Sequence, residues 1–510
     1  MRTTVSLMID GTNLTLPLVE DVARTAAQVQ LADDARVQVR AARAVVERAV
    51  SANERVYGIT TGFGRLKNVA IALAEATALQ RNLVVSHAAG VGPPLSRETT
   101  RASVLLRAHT LARGYSGVRT ELIDLLLALL NRDVTPVIPS QGSVGCSGDL
   151  APLAHMALVL IGEGEAWYES NRLTGGAALK RAGLAPLELS YKEGVSLING
   201  TQIMTAIGAL TLLRARRALE ALDIAGAMSL EAFLGSERPF AERIQALRPH
   251  RGQTEAASNL RRLLAGSAIV ASHRSCDRVQ DAYSFRCMPV VHGAARDAVR
   301  FAEGVVETEI NSVTDNPIIF ADDGALVSTG NFHGAPVGLA LDYTSIALTD
   351  ASSISERRTY KLLEGAEGLP PFLTERHGLR NGYMLAQYTA AALVSENKTL
   401  AVPASVDSIP TSAGQEDHNS MGTIAARQCE AVVTNLECVA AIELLVAAQA
   451  LDFRAPLQPG RGTAVAHRML RELVPHLEDD RTLSPEIDAV TQLVRSGELV
   501  RTVQAMVGAL

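Results

Sequence analysis

The segment of the chain best suited to unusual chemistry is residues 142–148, which read GSVGCSG and precede the apolar stretch APLAHMALVL. A phosphate-binding loop would have lysine where Asp149 stands, and the carboxylate would repel phosphate. A nucleophile elbow, GxSxG, would need its last glycine one position later. A dinucleotide fingerprint needs a preceding strand, which VTPVIPSQ does not supply. The structural alternative is a helix N-terminus capped by Asp149.

One backbone reaction uses these residue types in this order. If the chain bends sharply, the amide nitrogen of Gly148 can attack the carbonyl carbon of Cys146, because glycine has no Cβ to obstruct the approach. Loss of one water closes a ring, and loss of a second water from Ser147 leaves an exocyclic methylidene. This electrophile would replace pyridoxal phosphate as an electron sink. The five lysines, at 67, 180, 192, 361 and 398, offer no clear Schiff-base site, and we expect neither pyridoxal phosphate nor a nucleotide.

The stretch GSVGCSGDLAPLAHMAL resembles the signature of the aromatic amino-acid ammonia-lyase and aminomutase family. The resemblance implies a covalent cofactor, methylidene-imidazolone (MIO), formed by the chain from Cys146, Ser147 and Gly148, with no metal. The family usually has alanine where Cys146 stands. Ring closure uses the carbonyl group of that residue and not its side chain, so cyclisation is expected with cysteine as well.

Two further segments resemble the parts of the family that move the proton and hold the substrate. YGITTGFG, at 57–64, resembles the loop whose tyrosine removes the β-proton, which implies that role for Tyr57. A phenol near its reference pKa of about 10 is a poor base at neutral pH, so we expect the site to lower the pKa of Tyr57. QDAYSFRC, at 280–287, is similar to the segment with a second tyrosine, Tyr283, and a carboxylate-binding arginine, Arg286.

The remaining resemblances concern substrate binding. LQRNL and SHA, within 79–88, resemble the substrate-selecting helix, and LINGTQ, GNFH, GYMLAQ and QEDH match further family segments in the family's order. Each motif alone has an ordinary structural interpretation, such as a capping acid or a core phenylalanine. Together they imply a set of substrate-binding residues: His87, Asn199, Gln280, Arg286, Phe332, Met384, Gln415 and Glu416.

The pocket residues favour an imidazole substrate. His87, Met384 and Glu416 resemble the histidine-specific branch of the family, and an imidazole offers both a donor and an acceptor nitrogen. We therefore predict elimination of ammonia from L-histidine to give urocanate, a step of histidine catabolism. Thr60 resembles the tyrosine and phenylalanine enzymes, and Met288 replaces a usual glutamine. A tyrosine or phenylalanine ammonia-lyase, or a 2,3-aminomutase, is therefore the alternative.

Other departures leave a different class of protein open. Ala335 and Gly414 replace an acid and an asparagine that are frequent in the family, and Cys146 replaces alanine. A catalytically silent homologue that acts as a binding subunit is consistent with these changes. An enzyme, a carbon–nitrogen lyase, is favoured by the joint retention of six residues: Tyr57, Ser147, Gly148, Asp149, Tyr283 and Arg286.

The elements that must position these residues are mostly helices. Aromatic residues make up only 4% of the chain, which favours helix packing over a β-sandwich. Apolar residues recur at helical spacing over 76–130, 200–236, 290–312, 333–362, 383–400 and 421–452. We predict a mainly α fold with a long central helix bundle, an N-terminal helix-and-loop domain that carries the active-site loop, and few short strands. Residues 314–330 favour a β-hairpin with its turn at Asp323-Gly324.

The predicted domains are 1–200, with the tyrosine loop and the MIO-forming segment, 201–450, the central bundle, and 451–510, a helical tail. Several of the long helices are apolar all round, which indicates burial inside the subunit or against other subunits. The family resemblance implies a homotetramer with two-fold symmetries and active sites shared between subunits.

Charge, cysteines and hydropathy restrict the partners and the compartment. The net charge of −6 is spread along the chain without a basic patch, so we expect no nucleic-acid partner. The family resemblance implies a small-molecule amino-acid substrate. The five cysteines form no CxxC pair, which argues against a disulfide framework or a zinc site. The N-terminus has no apolar signal region, and no long uncharged apolar run follows. We therefore expect a cytoplasmic protein without membrane association.

Overall fold

The computed structural model describes residues 6–25, 27–72 and 75–510. It divides the chain into two compact units. Unit 1 consists of Met1–Leu210, Ala302–Asp342 and Pro403–Arg427, and unit 2 of Thr211–Phe301, Tyr343–Val402 and Gln428–Leu510. Each unit thus collects segments that are distant in sequence. The predicted domains 1–200, 201–450 and 451–510 are continuous segments, and that three-part division stays a prediction.

Unit 1 begins with a series of short helices that start as sequence rules predict. Thr15, Ser96 and Thr174 each cap a helix by accepting a hydrogen bond from a backbone N–H three residues further on. Every residue from 99 to 112 is buried, so the fourth helix lies at the centre of the unit. The helices are α1 Leu16–Arg24, α2 Asp33–Ser51, α3 Ala76–His87, α4 Arg97–Ala112, α5 Thr120–Asn131, α6 Ala151–Leu160, α7 Gly175–Arg181 and α8 Glu193–Ile198.

The strands are short and form small separate sheets. They are β1 Ser6–Ile9, β2 Gln28–Leu31, β3 Val91–Pro94, β4 Thr135–Pro136, β5 Pro139–Gln141, β6 Glu165–Tyr168, β7 Asn171–Thr174, β8 Ile318–Ile319 and β9 Leu326–Val327. β1 pairs with β2 in parallel, and β3–β5, β4–β6–β7 and β8–β9 pair antiparallel. The predicted hairpin at 314–330 is confirmed, since Ile318 pairs with Val327 and the turn residue Gly324 has a φ of +76°.

Longer helices dominate the rest of the chain. The helices in this part are α9 Gln202–Ala232, α10 Glu242–Gln245, α11 Arg251–Leu263, α12 Ala268–Ser272, α13 Tyr283–Arg286, α14 Met288–Ile310, α15 Ala335–Leu363, α16 Met384–Leu400, α17 Gly422–Asp452, α18 Arg461–Leu473, α19 Ser484–Arg495 and α20 Glu498–Val507. Among them α10, α12 and α13 are short. Four of the five boundaries between the two units fall within α9, α14, α15 and α17, and the fifth, between Val402 and Pro403, follows α16. The core of unit 2 is rich in alanine and leucine, and small alanines allow close helix packing. The predicted mainly α fold with few short strands is confirmed.

Helix α17 is long and apolar enough to cross a membrane by length and composition alone. However, 78% of its most apolar window is buried inside the protein. A core helix of a globular protein has the same character. The apolarity of α17 is therefore explained by its packing.

Candidate active site

A pocket of about 170 Å³ in unit 1 brings together residues that are far apart in sequence. Five residues of the predicted site contribute to its wall: Tyr57, His87, Ser147, Asn199 and Glu416. The other lining residues are Phe63, Gly64, Leu83, Leu150, Val195, Ile198 and Ser412. Cys146 and Gly148 flank Ser147 in the chain, so the predicted cofactor-forming segment borders this pocket.

The loop 142–149 bends so sharply that glycine is required at two positions. Gly148 has a φ of +74°, and a Cβ atom there would lie 2.1 Å from the carbonyl oxygen of Gly200. Gly145 has a φ of +70°, and its Cβ would lie 2.2 Å from Ser420 Oγ. The N–H of Asp149 donates to the Gly200 carbonyl at 2.7 Å. The backbone at Gly148 therefore has the tight turn that cyclisation would need.

Asp149 caps a helix, but not the helix that follows it in sequence. Its carboxylate accepts hydrogen bonds from the N–H groups of Ile203 at 2.6 Å and Met204 at 3.3 Å, in the first turn of α9. Thr423 Oγ1 donates to the same carboxylate at 2.9 Å. Helix α6 begins after Leu150 without a side-chain cap. Burial raises the pKa of Asp149 to about 7, against the lowering effect of these hydrogen bonds.

Glu416 faces Ser147 across the pocket. Ser147 Oγ donates a hydrogen bond to Glu416 Oε1 at 3.5 Å, and Thr411 Oγ1 donates to Oε2 at 2.7 Å. The backbone N–H of Thr411 also donates to the Glu416 carbonyl at 2.9 Å, which closes the turn between them. Thr411 therefore orients the carboxylate toward the Ser147 hydroxyl group, which the second loss of water would remove.

Cys146 is buried near the same carboxylate. Burial raises the pKa of the Cys146 thiol to about 11, and the charge of Glu416 contributes in the same direction. The Cys146 side chain is therefore a neutral thiol at physiological pH. A thiol is a far weaker nucleophile than a thiolate. Cysteine in place of alanine thus adds no thiolate beside the proposed electrophile.

Tyr57 is held by its own loop. The N–H of Gly64 donates to Tyr57 Oη at 3.2 Å, and the ring of Phe63 lies edge-on with its centroid 6.0 Å away. Burial raises the pKa of Tyr57 above its ordinary value, the charge of Glu416 raises it further, and only the Gly64 N–H acts in the opposite direction. The expectation that the site lowers the pKa of Tyr57 is therefore wrong for a single subunit. Among the described residues that line the pocket, none is a lysine or an arginine.

His87 presents a hydrogen-bond acceptor to the pocket. Its Nδ1 lies 2.8 Å from the carbonyl oxygen of Leu83, one helical turn earlier on α3. A carbonyl only accepts, so Nδ1 carries the proton and Nε2 is the acceptor in the neutral ring. Burial lowers the pKa of His87, although the charge of Glu416 opposes that effect, and burial therefore favours the neutral form.

Asn199 ends helix α8 and is almost fully buried. Its Oδ1 is buried without a hydrogen-bond partner among the described residues, which is uncommon for a buried polar atom. Arg107 Nη1 donates to the Asn199 carbonyl at 2.9 Å and to Gln202 Oε1 at 2.8 Å. Burial lowers the pKa of Arg107 to about 10. The side chain of Asn199 is thus free to form a hydrogen bond with a group bound or formed in the pocket.

Sequence reasoning missed several parts of this site. Arg107, which supports Asn199, was missed, although an arginine within the largely apolar segment 102–112 is a detectable signal. The apolar wall was also missed, although the spacing of Leu83 four residues before His87 places both on one face of α3. Thr411 was missed because no local pattern links it to the side chain that it orients. The other missed wall residues are Leu150, Val195, Ile198 and Ser412.

Four predicted site residues lie in unit 2 and are not among the described residues that line the unit 1 pocket. Gln280 and Arg286 line a separate cavity of about 570 Å³. The side chain of Tyr283 is 71% exposed, and the Arg286 guanidinium lies 4.6 Å from its ring centroid. Met384 is the first residue of α16.

Two further predicted residues belong to unit 1 but also do not line its pocket. Phe332 is half-buried, and Gln415 is exposed. The side-chain oxygen of Gln415 accepts a hydrogen bond from Lys67 Nζ. Gln415 therefore contacts the tyrosine loop in this structure and not the pocket.

The described residues contain no group of three or more His, Cys, Asp or Glu side chains placed to hold a metal ion. The buried lysine of unit 1, Lys192, donates to Asp315 Oδ2 at 2.9 Å and to Ser196 Oγ at 2.8 Å. Its charge is thus committed to an ion pair. The pocket itself offers a serine, a tyrosine, a histidine and a carboxylate.

Comparison with known proteins assigns the chain to a protein family. The sequence profile of the family described as aromatic amino acid lyase matches residues 14–472, and the chain belongs to this family. The histidine ammonia-lyase of Anaeromyxobacter dehalogenans strain 2CP-C is 56% identical over 504 residues, which cover 97% of this chain and 99% of that protein.

Solved structures agree with this assignment. The crystal structure of histidine ammonia-lyase from Trypanosoma cruzi has a TM-score of 0.92 and 40% identity, covering 99% of this chain and 96% of that one. Tyrosine aminomutase from Streptomyces globisporus has a TM-score of 0.95 and 36% identity, covering 99% and 100%. The fold is thus shared by enzymes that act on different aromatic amino acids.

Proposed function

We propose that this chain is a histidine ammonia-lyase, which converts L-histidine into urocanate and ammonia. The observation that carries the proposal is the joint placement of the Glu416 carboxylate and the His87 Nε2 acceptor in one pocket with Ser147 and Tyr57. Both groups are acceptors, so they would match a protonated imidazole, which has two N–H donors, whereas a phenyl ring would leave both polar groups unpaired. The 56% identity to a histidine ammonia-lyase supports the same substrate.

The residues present fit a methylidene-imidazolone formed from Cys146, Ser147 and Gly148. The left-handed turn at Gly148 leaves no room for a side chain. Asn199 lines the pocket, and its amide N–H would donate to the new ring, whose carbonyl oxygen and imine nitrogen are both acceptors. When formed, the group would supply an electrophilic carbon for the amine of the substrate.

Residues of the chain would orient the substrate and remove its β-proton. Glu416 and His87 orient the imidazole, and Tyr57 Oη removes a proton from the β-carbon. Because burial and Glu416 raise the pKa of Tyr57, a cation must be brought near the phenol before it becomes an effective base. We assign that role, and binding of the substrate carboxylate, to the Gln280, Tyr283 and Arg286 segment of other subunits.

A homotetramer with shared active sites supports this assignment. The aromatic ring of Tyr283 is largely exposed, and helices α15 and α16 each carry exposed apolar pairs at a spacing of three residues: Tyr343 and Ile346, and Leu385 and Tyr388. Such pairs on one face of a helix are typical of subunit contacts. All five cysteines are free, which is consistent with a cytoplasmic enzyme.

A competition assay tests the proposed substrate. Purified protein is incubated with equal concentrations of L-histidine, L-tyrosine and L-phenylalanine, and the products are identified by mass spectrometry. We expect urocanate alone. A cinnamate-type acid or a β-amino acid, with histidine unchanged, would instead establish a tyrosine or phenylalanine ammonia-lyase or a 2,3-aminomutase. The Streptomyces globisporus relative is a tyrosine aminomutase.

The intact mass tests the proposed cofactor. Formation of the ring and the methylidene removes two waters, so the folded chain should be lighter than its encoded mass by roughly 36 Da. A folded protein with the full encoded mass would contradict the cofactor and would favour a silent homologue.

A further inference from the structure

Gln80 is a buried glutamine whose amide joins two parts of the candidate site. It lies on α3 with none of its surface exposed. Its Nε2 donates to the carbonyl oxygen of Gly58 at 3.2 Å, and its Oε1 accepts from the N–H of Gly194 at 2.8 Å. Gly58 follows Tyr57 in the chain, and Gly194 lies in the first turn of α8, the helix that ends at Asn199.

The packing around this amide is close on both sides. A Cβ atom at Gly194 would lie 2.6 Å from the Gln80 carbonyl oxygen and 2.9 Å from its Oε1. Gly58 has a φ of +65°, and a Cβ there would lie 2.8 Å from the ring of Phe63 and 3.6 Å from Val195. The loop and α8 are thus in contact at the point where the amide connects them.

Few other contacts of this kind hold the tyrosine loop. In the part of the chain that the structure describes, three side-chain hydrogen bonds join residues 54–72 to other segments. One joins the N–H of Arg65 to Ser412 Oγ at 3.3 Å, and another joins Lys67 Nζ to Gln415, and both bonds are exposed. The third is the bond from Gln80, which is buried. A buried bond exchanges less readily with water, so Gln80 is the most persistent of the three.

Gln80 also shares a helix face with the imidazole-binding side of the pocket. Gln80, Leu83 and His87 occupy positions i, i+3 and i+7 of α3 and therefore lie on one face. Leu83 and His87 line the pocket, and the Leu83 carbonyl fixes the tautomer of His87. One helix face thus holds both the histidine acceptor and the loop that carries Tyr57.

We propose that Gln80 is a positioning residue that sets the place of Tyr57 relative to α8 and Asn199. The inference rests on the proposed function, in which Tyr57 removes the β-proton. A glutamine is needed because the position requires one donor for Gly58 and one acceptor for Gly194 at the same time. Proton transfer depends steeply on geometry, and a displacement of about 1 Å can cost ~100-fold in rate. Loss of the amide should therefore lower kcat more than it changes KM.

Two variants and a matched control test the proposal. Gln80→Met keeps the length and removes both hydrogen bonds, whereas Gln80→Glu keeps the acceptor and removes the donor. Gln449→Met is the control, because Gln449 is another fully buried glutamine whose amide donates to Leu477 O and accepts from Leu477 N, both at 3.1 Å. It belongs to unit 2 and lines neither the unit 1 pocket nor the cavity beside Arg286.

For Gln80→Met we expect kcat to fall by ~10- to 100-fold with KM changed by less than about threefold, while Gln449→Met keeps the wild-type kcat. The isotope effect with β-deuterated histidine should rise, because proton removal becomes more strongly rate-limiting. The mass deficit of roughly 36 Da should persist, which shows that the variant still folds and forms its cofactor.

The Gln80→Glu variant adds a pH test. The introduced carboxyl can donate to the Gly58 carbonyl only when it is protonated, so its kcat relative to wild type should fall as pH rises. The same ratio for Gln80→Met should not change with pH. A flat ratio for both variants, or a kcat within twofold of wild type, would overturn the proposal. So would an equal loss in Gln449→Met.

Limited trypsin digestion tests whether Gln80 anchors the tyrosine loop, and it does not depend on catalytic activity. Arg65 and Lys67 are exposed in the loop, and Gln80→Met should be cleaved there at least several-fold faster than wild type or Gln449→Met. Equal cleavage rates would overturn the anchoring role. If the wild-type protein makes no urocanate, the proposed substrate fails, and the cleavage rates still decide whether Gln80 holds the loop.

Discussion

Glu416 is the residue on which the electrostatics of the pocket depend. Its carboxylate faces Ser147, is oriented by Thr411, and raises the pKa of both Tyr57 and Cys146. It also opposes the lowering of the His87 pKa by burial. One charge thus acts on the proposed base Tyr57, on the Cys146 thiol and on His87, the proposed partner of the imidazole.

Replacement of this charge should change both rate and pH dependence. For Glu416→Gln we expect turnover of histidine to fall by ~100-fold, because the imidazole loses an ionic partner. The rising limb of kcat against pH should move to lower pH, since removal of a negative charge lowers the pKa of Tyr57, and Tyr57 acts as a base when deprotonated. Steady-state kinetics across pH measure both effects.

The neighbouring acid offers a control for this prediction. Asp417 is exposed, and Asp417→Asn removes the same charge one residue further along the chain. We expect it to leave the rate and the pH profile unchanged. An unmoved rising limb in Glu416→Gln would show that the charge does not act on the base.

At the scale of elements, the bend at Gly148 should be indispensable. In Gly148→Ala the new methyl group would lie 2.1 Å from the Gly200 carbonyl, in addition to the strain of a positive φ. We expect no mass deficit and a loss of activity of at least about 10³-fold. The measurement is intact mass together with the rate of urocanate formation.

Gly324 provides a matched glycine in open space. It has a φ of +76°, and a Cβ there meets no atom within 4 Å. Gly324→Ala should therefore cost only about 1 kcal/mol of backbone strain and leave the mass deficit in place. A full encoded mass in this control would mean that the missing deficit in Gly148→Ala reflects general instability and not the bend.

The cap on α9 predicts a particular pH dependence of stability. The pKa of Asp149 is raised to about 7 in the folded chain from its ordinary value of 3.8. Between these values the folded state binds a proton that the unfolded state has released, so stability falls as pH rises from ~4 to ~7. In Asp149→Asn this contribution is absent. The thermal unfolding midpoint of the wild type should therefore decline between pH ~4 and ~7 relative to that of Asp149→Asn. Midpoints that change in parallel over this pH range would contradict the raised pKa of Asp149.

The sequence predicted turns set by neighbouring residues better than it predicted contacts between residues far apart in the chain. Glycine at 148 and the turn at Asp323-Gly324 follow from short-range sterics, and the structure has both. The sequence could not show that Asp149 caps α9 and not α6, because that bond joins residues that are distant in sequence. It also could not show that burial raises the pKa of Tyr57, since burial depends on the whole pocket. The pairing of Ser147 with Glu416, 269 residues apart, was accessible only through the family resemblance.

At the scale of the molecule, the exposed apolar pairs on α15 and α16 predict the assembly. Tyr388 is 58% exposed on α16, and Tyr388→Glu places a charge where we expect a subunit contact. The variant should dissociate in light scattering and lose activity together with its assembly, because the active sites would be shared. Val37→Glu is the control, since Val37 is 61% exposed on α2 of unit 1. It should remain fully assembled, and an assembled, active Tyr388→Glu would contradict the interface.

The contact of the glycine-rich loop with α9 and α17 has a consequence for biosynthesis. The turn at Gly148 is completed by Gly200, and Asp149 is held by Ile203 and by Thr423. The ribosome must therefore synthesise most of the chain before the bent loop has all of its supports. An unfinished polypeptide would carry only an ordinary serine at 147, harmless to the thiols and amines of the cell. The reactive carbon would appear only in a chain that has finished folding around it, so chemical maturation would report correct folding.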